Sequence, residues 1–108
     1  YPLRFLCEFG ELLYHVHGKD TDLLSENLYE YGNEQPPTFA QKICFGSLHW
    51  RYTIPGQGCM RWSQAFGMLD TLGYQGCVSI ELEDASFNGT TQGEQFGILQ
   101  GARFLAGC

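Results

Sequence analysis

A chain of 108 residues with 44% apolar, 15% aromatic and 17% charged residues has the length and composition of one globular unit, which argues against wholesale disorder and a multidomain architecture. Twelve acidic against six basic residues leave a formal charge of −6, and with no basic stripe a nucleic-acid partner is not expected. No run approaches the roughly 20 apolar residues of a membrane span, and the opening Tyr1-Pro2-Leu3-Arg4 lacks the basic-then-apolar order of a signal peptide.

Cys7, Cys44, Cys59, Cys77 and Cys108 are odd in number, widely spaced and free of any C-x-x-C pair. They are expected to be free thiols in a reducing compartment, which makes the expected location cytoplasmic. The chain has no initiator Met and opens on the back half of a helix.

That helix runs over Leu3 to Phe9, where Leu3, Phe5, Leu6 and Phe9 follow helical spacing and Gly10 is a suitable stop. Leu12 to His17, bounded by Gly10 and Gly18, reads as a strand buried on both faces in a parallel sheet. From Lys19 to Arg61 the pattern is irregular. Asp20-Thr21-Asp22 is placed to cap a short helix over Leu23 to Tyr31, and Gly32, Asn33 and Pro36-Pro37 follow as breakers. A loop of this length that carries Phe39, Phe45, Trp50 and Tyr52 is expected to fold over something. Pro55-Gly56-Gln57-Gly58 is a turn, and Trp62, Phe66, Met68, Leu69 and Leu72 set a helix that Gly73 ends. Cys77 to Leu82 is a second buried strand. Asn88-Gly89-Thr90 offers a cap for a last helix, Gln92 to Leu105, expected to pack through Phe96, Leu99, Ala102 and Phe104 or Leu105. The alternation of strands and helices is that of a βα repeat.

Chemistry-bearing residues gather where the two strands run out. His15 and His17 share one strand face, as do Glu81 and Glu83, and in parallel α/β folds the C-terminal strand edge is where ligands bind. Imidazole with carboxylate suits a divalent metal that keeps positions open for substrate oxygens. His17, nearer the strand end, is the better ligand candidate, and His15 is as well explained as a hydrogen-bonded core residue. Lys19 is placed either to hold a hydroxyl or oxyanion in the same cavity or to be a solvated loop lysine. Glu83 and Asp84 fit either the site or a solvated strand end, and His49 is structural.

HVHGKDT at 15–21, PGQG with Trp62 at 55–62, and GYQGCVSIELED at 73–84 together resemble the C-terminal part of the sugar phosphate isomerase/epimerase family. These are xylose-isomerase-like TIM barrels, a group that includes inosose dehydratases, ketose 3-epimerases and endonuclease IV-type proteins. The resemblance covers nearly the whole chain. It implies that residues 1–108 are a partial TIM-barrel domain, the last two βα units of a (β/α)8 barrel with a long loop after the first strand, the N-terminal strands lying elsewhere. By the resemblance, His17 and Glu81 are metal ligands, and in the ketose epimerases the Glu81 position is one of the two glutamate ligands that also act as acid and base. His15, Lys19 and Glu83 would line the substrate pocket. The family's other ligands, a Glu and an Asp, come from strands outside these residues. In the ketose epimerases a substrate-binding Arg follows the ligand His by six residues, and Leu23 stands here.

The function so implied is a divalent-metal-dependent sugar or polyol isomerase or epimerase, with Mn, Mg or Co favoured over Zn. Its carboxylate would move a proton beside a metal-polarised carbonyl. Trp50 and Tyr52 would exclude water and stack on the sugar face. The alternatives are a polyol dehydratase or C-glycoside-cleaving lyase on the same barrel, or a non-catalytic interaction module. The 108 residues alone are expected to be inactive, and the full-length protein is a candidate homo-oligomer.

Overall fold

In a computed structural model of the chain, residues 1–34 and 41–108 are described. The breakers Pro36-Pro37 and Phe39 lie outside them. The fold is mixed α/β with parallel strands. Helix α1 (Pro2–Phe9) tolerates Pro2 because it sits in the first turn. Gly10 does not stop the chain: it keeps right-handed helical dihedrals, and a single 3-10 turn continues over Gly10–Leu12. Strand β1 therefore begins only at Val16 and ends at Gly18. The expected strand from Leu12, buried on both faces, is corrected: Leu12 and Tyr14 are 67% and 90% exposed, because the apolar run lies mostly in the turn and the link after it.

Among the described residues, the segment after β1 holds two strands and a helix rather than being irregular throughout. Strand β2 (Asp20–Leu23) pairs antiparallel with β3 (Trp50–Thr53), setting Thr21 opposite Tyr52 and Leu23 opposite Trp50. Helix α2 (Ser25–Tyr31) lies between them and starts without a side-chain cap. The aspartates expected to cap it are strand residues. Asp22 pairs with Arg51 across the ladder at 3.2 Å, and Asp20 is buried, accepting from the backbone N–H groups of Thr21, Gly56 and Met60 and from the Trp62 indole. A carboxylate with four donors gains more as an anchor than as an exposed cap.

The Pro55–Gly58 turn forms as expected, with Gly56 at φ 95°. Helix α3 (Trp62–Thr71) terminates at Gly73, whose φ of 72° allows the reversal. Leu69 and Ala65 of α3 and Leu6 of α1 form the core, with Leu13, Val16 and Phe66 packed on it. Strand β4 (Val78–Ile80) pairs parallel with β1, Val16 to Val78, His17 to Ser79 and Gly18 to Ile80. Helix α4 (Thr91–Ala106) is capped by Thr90, whose hydroxyl accepts from Gly93 N.

The buried face of α4 is Gly97, Gly101 and Leu105. Of the expected packing residues Leu105 is buried, while Phe96, Leu99, Ala102 and Phe104 are exposed, which corrects the rest of that face. The reason is close approach: a Cβ on Gly97 would meet Leu82 and Phe87 at 3.0 Å, and one on Gly101 would meet Pro55 at 3.1 Å. Among the described residues no helix is long and apolar enough to cross a membrane. All five thiols are exposed and unpaired.

Asp84, expected either in the site or at a solvated strand end, is 0% exposed. It accepts from the Thr53 hydroxyl at 2.7 Å and from Ile54 N and Ser86 N, tying the exit of β4 to the end of β3. Burial opposes its charge, but the hydrogen bonds from Thr53, Ser86 and Ile54 win and hold its pKa below the ordinary 3.8. A depressed carboxylate stabilises the fold above its unfolded pKa, and that contribution is lost as pH falls through the lower folded value. Asp84→Asn in the full-length protein is expected to cost about 2 kcal/mol at neutral pH, from the lost charged acceptor. Denaturant midpoints of variant and parent should converge below pH 3.8; a gap independent of pH would refute the assignment.

Candidate functional site

Parallel pairing sends the ends of β1 and β4 out at the same edge. With Gly18 opposite Ile80, the next residues, Lys19 and Glu81, leave side by side, and Glu81 N extends the ladder to Gly18 O at 3.3 Å. Gly18 is what lets the strand end sit so close to α4: a Cβ there would lie 3.1 Å from Leu105 and 3.3 Å from Val78.

Four of the residues singled out from sequence meet at this edge. Lys19 Nζ donates to Glu81 Oε1 at 2.9 Å and to Glu83 Oε2 at 3.0 Å. The other oxygen of Glu81, Oε2, lies 3.0 Å from His17 Nδ1, and since a carboxylate only accepts, the ring N–H donates. The rings of His15 and His17 meet edge to face, centroids 5.2 Å apart. His15, His17 and Lys19 line one open cavity of about 320 Å³ together with Met60, Trp62 and Phe66.

Hydrogen bonds from Lys19 and then His17 lower the pKa of Glu81 below its ordinary 4.5. Partial burial works against the Lys19 charge, but the hydrogen bonds and charges of Glu81 and Glu83 outweigh it and raise its pKa above 10.5. Both groups are therefore ionised at neutral pH, and the pair is a fixed dipole at the cavity's rim.

Trp50 stands one ring further back. It contacts Tyr52 edge to face at 5.0 Å, and the Tyr52 ring lies under the Lys19 ammonium at 4.2 Å. Asp20 and Trp62 escaped sequence reasoning as parts of the site. Asp20 follows Lys19 directly and accepts the Trp62 indole N–H at 2.8 Å, which sets the indole in the cavity wall. The signal was present in two motifs taken separately, the Asp of HGKD and the Trp after PGQG. Asp84 belongs to the scaffold behind the site.

His17 and Glu81 supply imidazole and carboxylate, donor types that suit a divalent ion, but their Nδ1 and Oε2 atoms, 3.0 Å apart, share a hydrogen bond, and an ion held between them would replace its proton. Among the described residues no group of three or more His, Cys, Asp or Glu is gathered to share an ion.

No family profile matches the chain. Over 82 residues, 76% of the chain, it is 28% identical to inosose dehydratase of Clostridium beijerinckii (strain ATCC 51743 / NCIMB 8052), of which it spans 25% of the length.

Lys19 governs the ionisation of Glu81 in this geometry. Lys19→Met is expected to raise the Glu81 pKa from its depressed value toward 4.5, as read from the carboxyl carbon resonance during an NMR titration. An unmoved titration would remove Lys19 from that role.

Proposed function

We propose that these residues are the last two βα units of a TIM barrel whose whole protein acts on a polyhydroxylated ketone by moving a proton on the carbon beside the carbonyl. The observation that carries this is the continuous hydrogen-bonded chain His17–Glu81–Lys19–Glu83 at the C-terminal edge of a parallel strand pair. Dehydration is the favoured outcome, because the similarity is to an inosose dehydratase. Isomerisation or epimerisation of a sugar begins with the same step and is the second reading. Leu23, in place of the epimerase Arg, is half-exposed and paired with Trp50, and its side chain offers no hydrogen bond to a sugar hydroxyl.

The chemistry follows from the groups present. Glu81 is held ionised and oriented through both of its oxygens, so it is a carboxylate base whose geometry is set before substrate arrives. Taking a proton from the carbon next to a ketone leaves an enediolate-like species. Loss of the hydroxyl on the following carbon, with a proton, releases water; return of the proton to the neighbouring carbon isomerises. Lys19 flanks the carboxylate with positive charge and N–H donors, which stabilise negative charge developing nearby. A divalent ion, Mn, Mg or Co ahead of Zn where the remaining ligands are oxygens, would be held by His17 and Glu81 and would make the ketone oxygen a better electron sink. His15 and Trp62 then form the wall against which the substrate lies.

In the full-length protein, incubation with ring ketones and ketoses in deuterated water separates the two outcomes by mass. A product short of one water marks dehydration, and an unchanged skeleton carrying solvent deuterium marks isomerisation. Glu81→Gln is expected to lower kcat/KM by about a hundred- to ten-thousandfold, and His17→Ala to lose bound metal. Retention of metal and turnover in both would overturn the proposal. Trp50→Ala should raise KM several-fold if the indole stacks on the sugar; unchanged kinetics would remove it from the binding surface.

A further inference from the structure

Tyr52, in the excursion between β1 and α3, contacts the charged chain at the strand edge through Lys19. Along β2 the side chains alternate, so Lys19, Thr21 and Leu23 share a face. The β2–β3 register sets Tyr52 opposite Thr21, and its ring therefore reaches diagonally toward Lys19, as cross-strand neighbours two residues apart do. The Lys19 ammonium lies 4.2 Å from the Tyr52 ring centroid, while two carboxylates take donors from its other sides. Behind Tyr52 the ring is braced twice: edge to face by Trp50 at 5.0 Å, and through its own backbone N–H, which donates to Phe45 O at 2.8 Å. The cation is enclosed by two anions and the negative face of an aromatic ring.

We propose that Tyr52 is a positioning residue that pins the Lys19 ammonium between Glu81 and Glu83 and thereby fixes the direction in which the Glu81 carboxylate presents itself to substrate. This rests on the proposed function, in which Glu81 is the proton-transferring group. A lysine side chain has four rotatable carbons and loses much rotamer freedom when held. Two exposed-rim carboxylates alone leave it able to hop from one to the other, whereas a ring beneath the ammonium confines it to a single place. The Tyr52 face so used is not available to a sugar, so among the loop aromatics stacking on substrate would fall to Trp50. The excursion is then more than a cover over the cavity: it supplies one wall of the cage that aligns the base.

The test compares Tyr52→Phe, which keeps a ring under the ammonium, with Tyr52→Leu, which keeps bulk but no π face, in the full-length protein. NMR of the Lys19 side chain reads position without any substrate: the ring should shift its terminal methylene protons upfield, in the parent and in Tyr52→Phe. In Tyr52→Leu that shift should vanish and the methylene order parameter should fall. With a turned-over ketone, Tyr52→Leu is expected to lower kcat by about five- to twentyfold with KM nearly unchanged, Tyr52→Phe to remain within about twofold of the parent, and Tyr52→Leu to add nothing in a Lys19→Met background. Absence of the upfield shift in the parent, an order parameter indifferent to Tyr52→Leu, or equal losses in the Phe and Leu variants overturns the inference. A parent protein that turns over no ketone sinks the proposed function alone, since the NMR comparison still decides whether Tyr52 fixes Lys19.

Discussion

Everything functional in this chain depends on the parallel register of two three-residue strands. Pairing His17 with Ser79 and Gly18 with Ile80 brings residues more than 60 positions apart in sequence to one edge, so that Lys19 meets Glu81 and Glu83. A slip of one residue would turn His17 and Lys19 to the opposite face from their partners. Two buried carboxylates hold that register from behind. Asp20 gathers donors from the turn and from the start of α3, and Asp84 gathers them from the end of β3. The scaffold and the site thus use the same kind of residue for different work. Acids committed to backbone, hydroxyl and indole donors sit inside, and acids committed to a cation sit at the rim.

The charge distribution acquires a specific sense from this arrangement. An excess of carboxylates counted over the whole sequence says only that polyanions are poor partners. Placed in space, five of the twelve acids have structural partners around the site: two buried anchors, a rim pair around Lys19, and Asp22 matched to Arg51 across a ladder. The local environment of His17 is consequently anionic, which suits a cation beside its ring, whereas Lys19 already has its own counterions and contributes mainly to the geometry of Glu81.

Helices were the most legible part of the fold. Periodic apolar positions and glycine stops placed α1, α3 and α4 to within a residue or two, because those signals are local. The strands were legible in kind but not in length, since Leu12-Leu13 has the composition of a buried strand while belonging to a turn. The β2–β3 pair was invisible for a physical reason: Asp-Thr-Asp is poor strand material, and it becomes a strand only when Arg51 and Thr53 are brought to it and the donors of the Pro55 turn and Trp62 anchor its Asp20. The face of α4 was misjudged because counting large apolar residues finds the surface that a neighbour could cover, and the inward face here is chosen by the absence of side chains. Of the site, the titratable groups were named by their positions at strand ends. Tyr52 and Trp62 were not assigned their partners, since both roles arise from cross-strand registry and from a hydrogen bond to an aspartate some forty residues away.

The glycines that let α4 lie close to β4 and the turn also set when that helix can exist. Gly93, Gly97 and Gly101 recur every fourth residue, and each weakens an isolated helix by about 1 kcal/mol relative to Ala, at a length where isolated helices are marginal in water. Contact with Leu82, Phe87 and Pro55 has to supply what propensity does not. α4 is therefore a contingent element, assembled on a platform of β4 and the Pro55 turn. Because Leu105 then closes over Gly18, formation of this last helix is what seals the back of the strand edge from which His17 and Lys19 emerge.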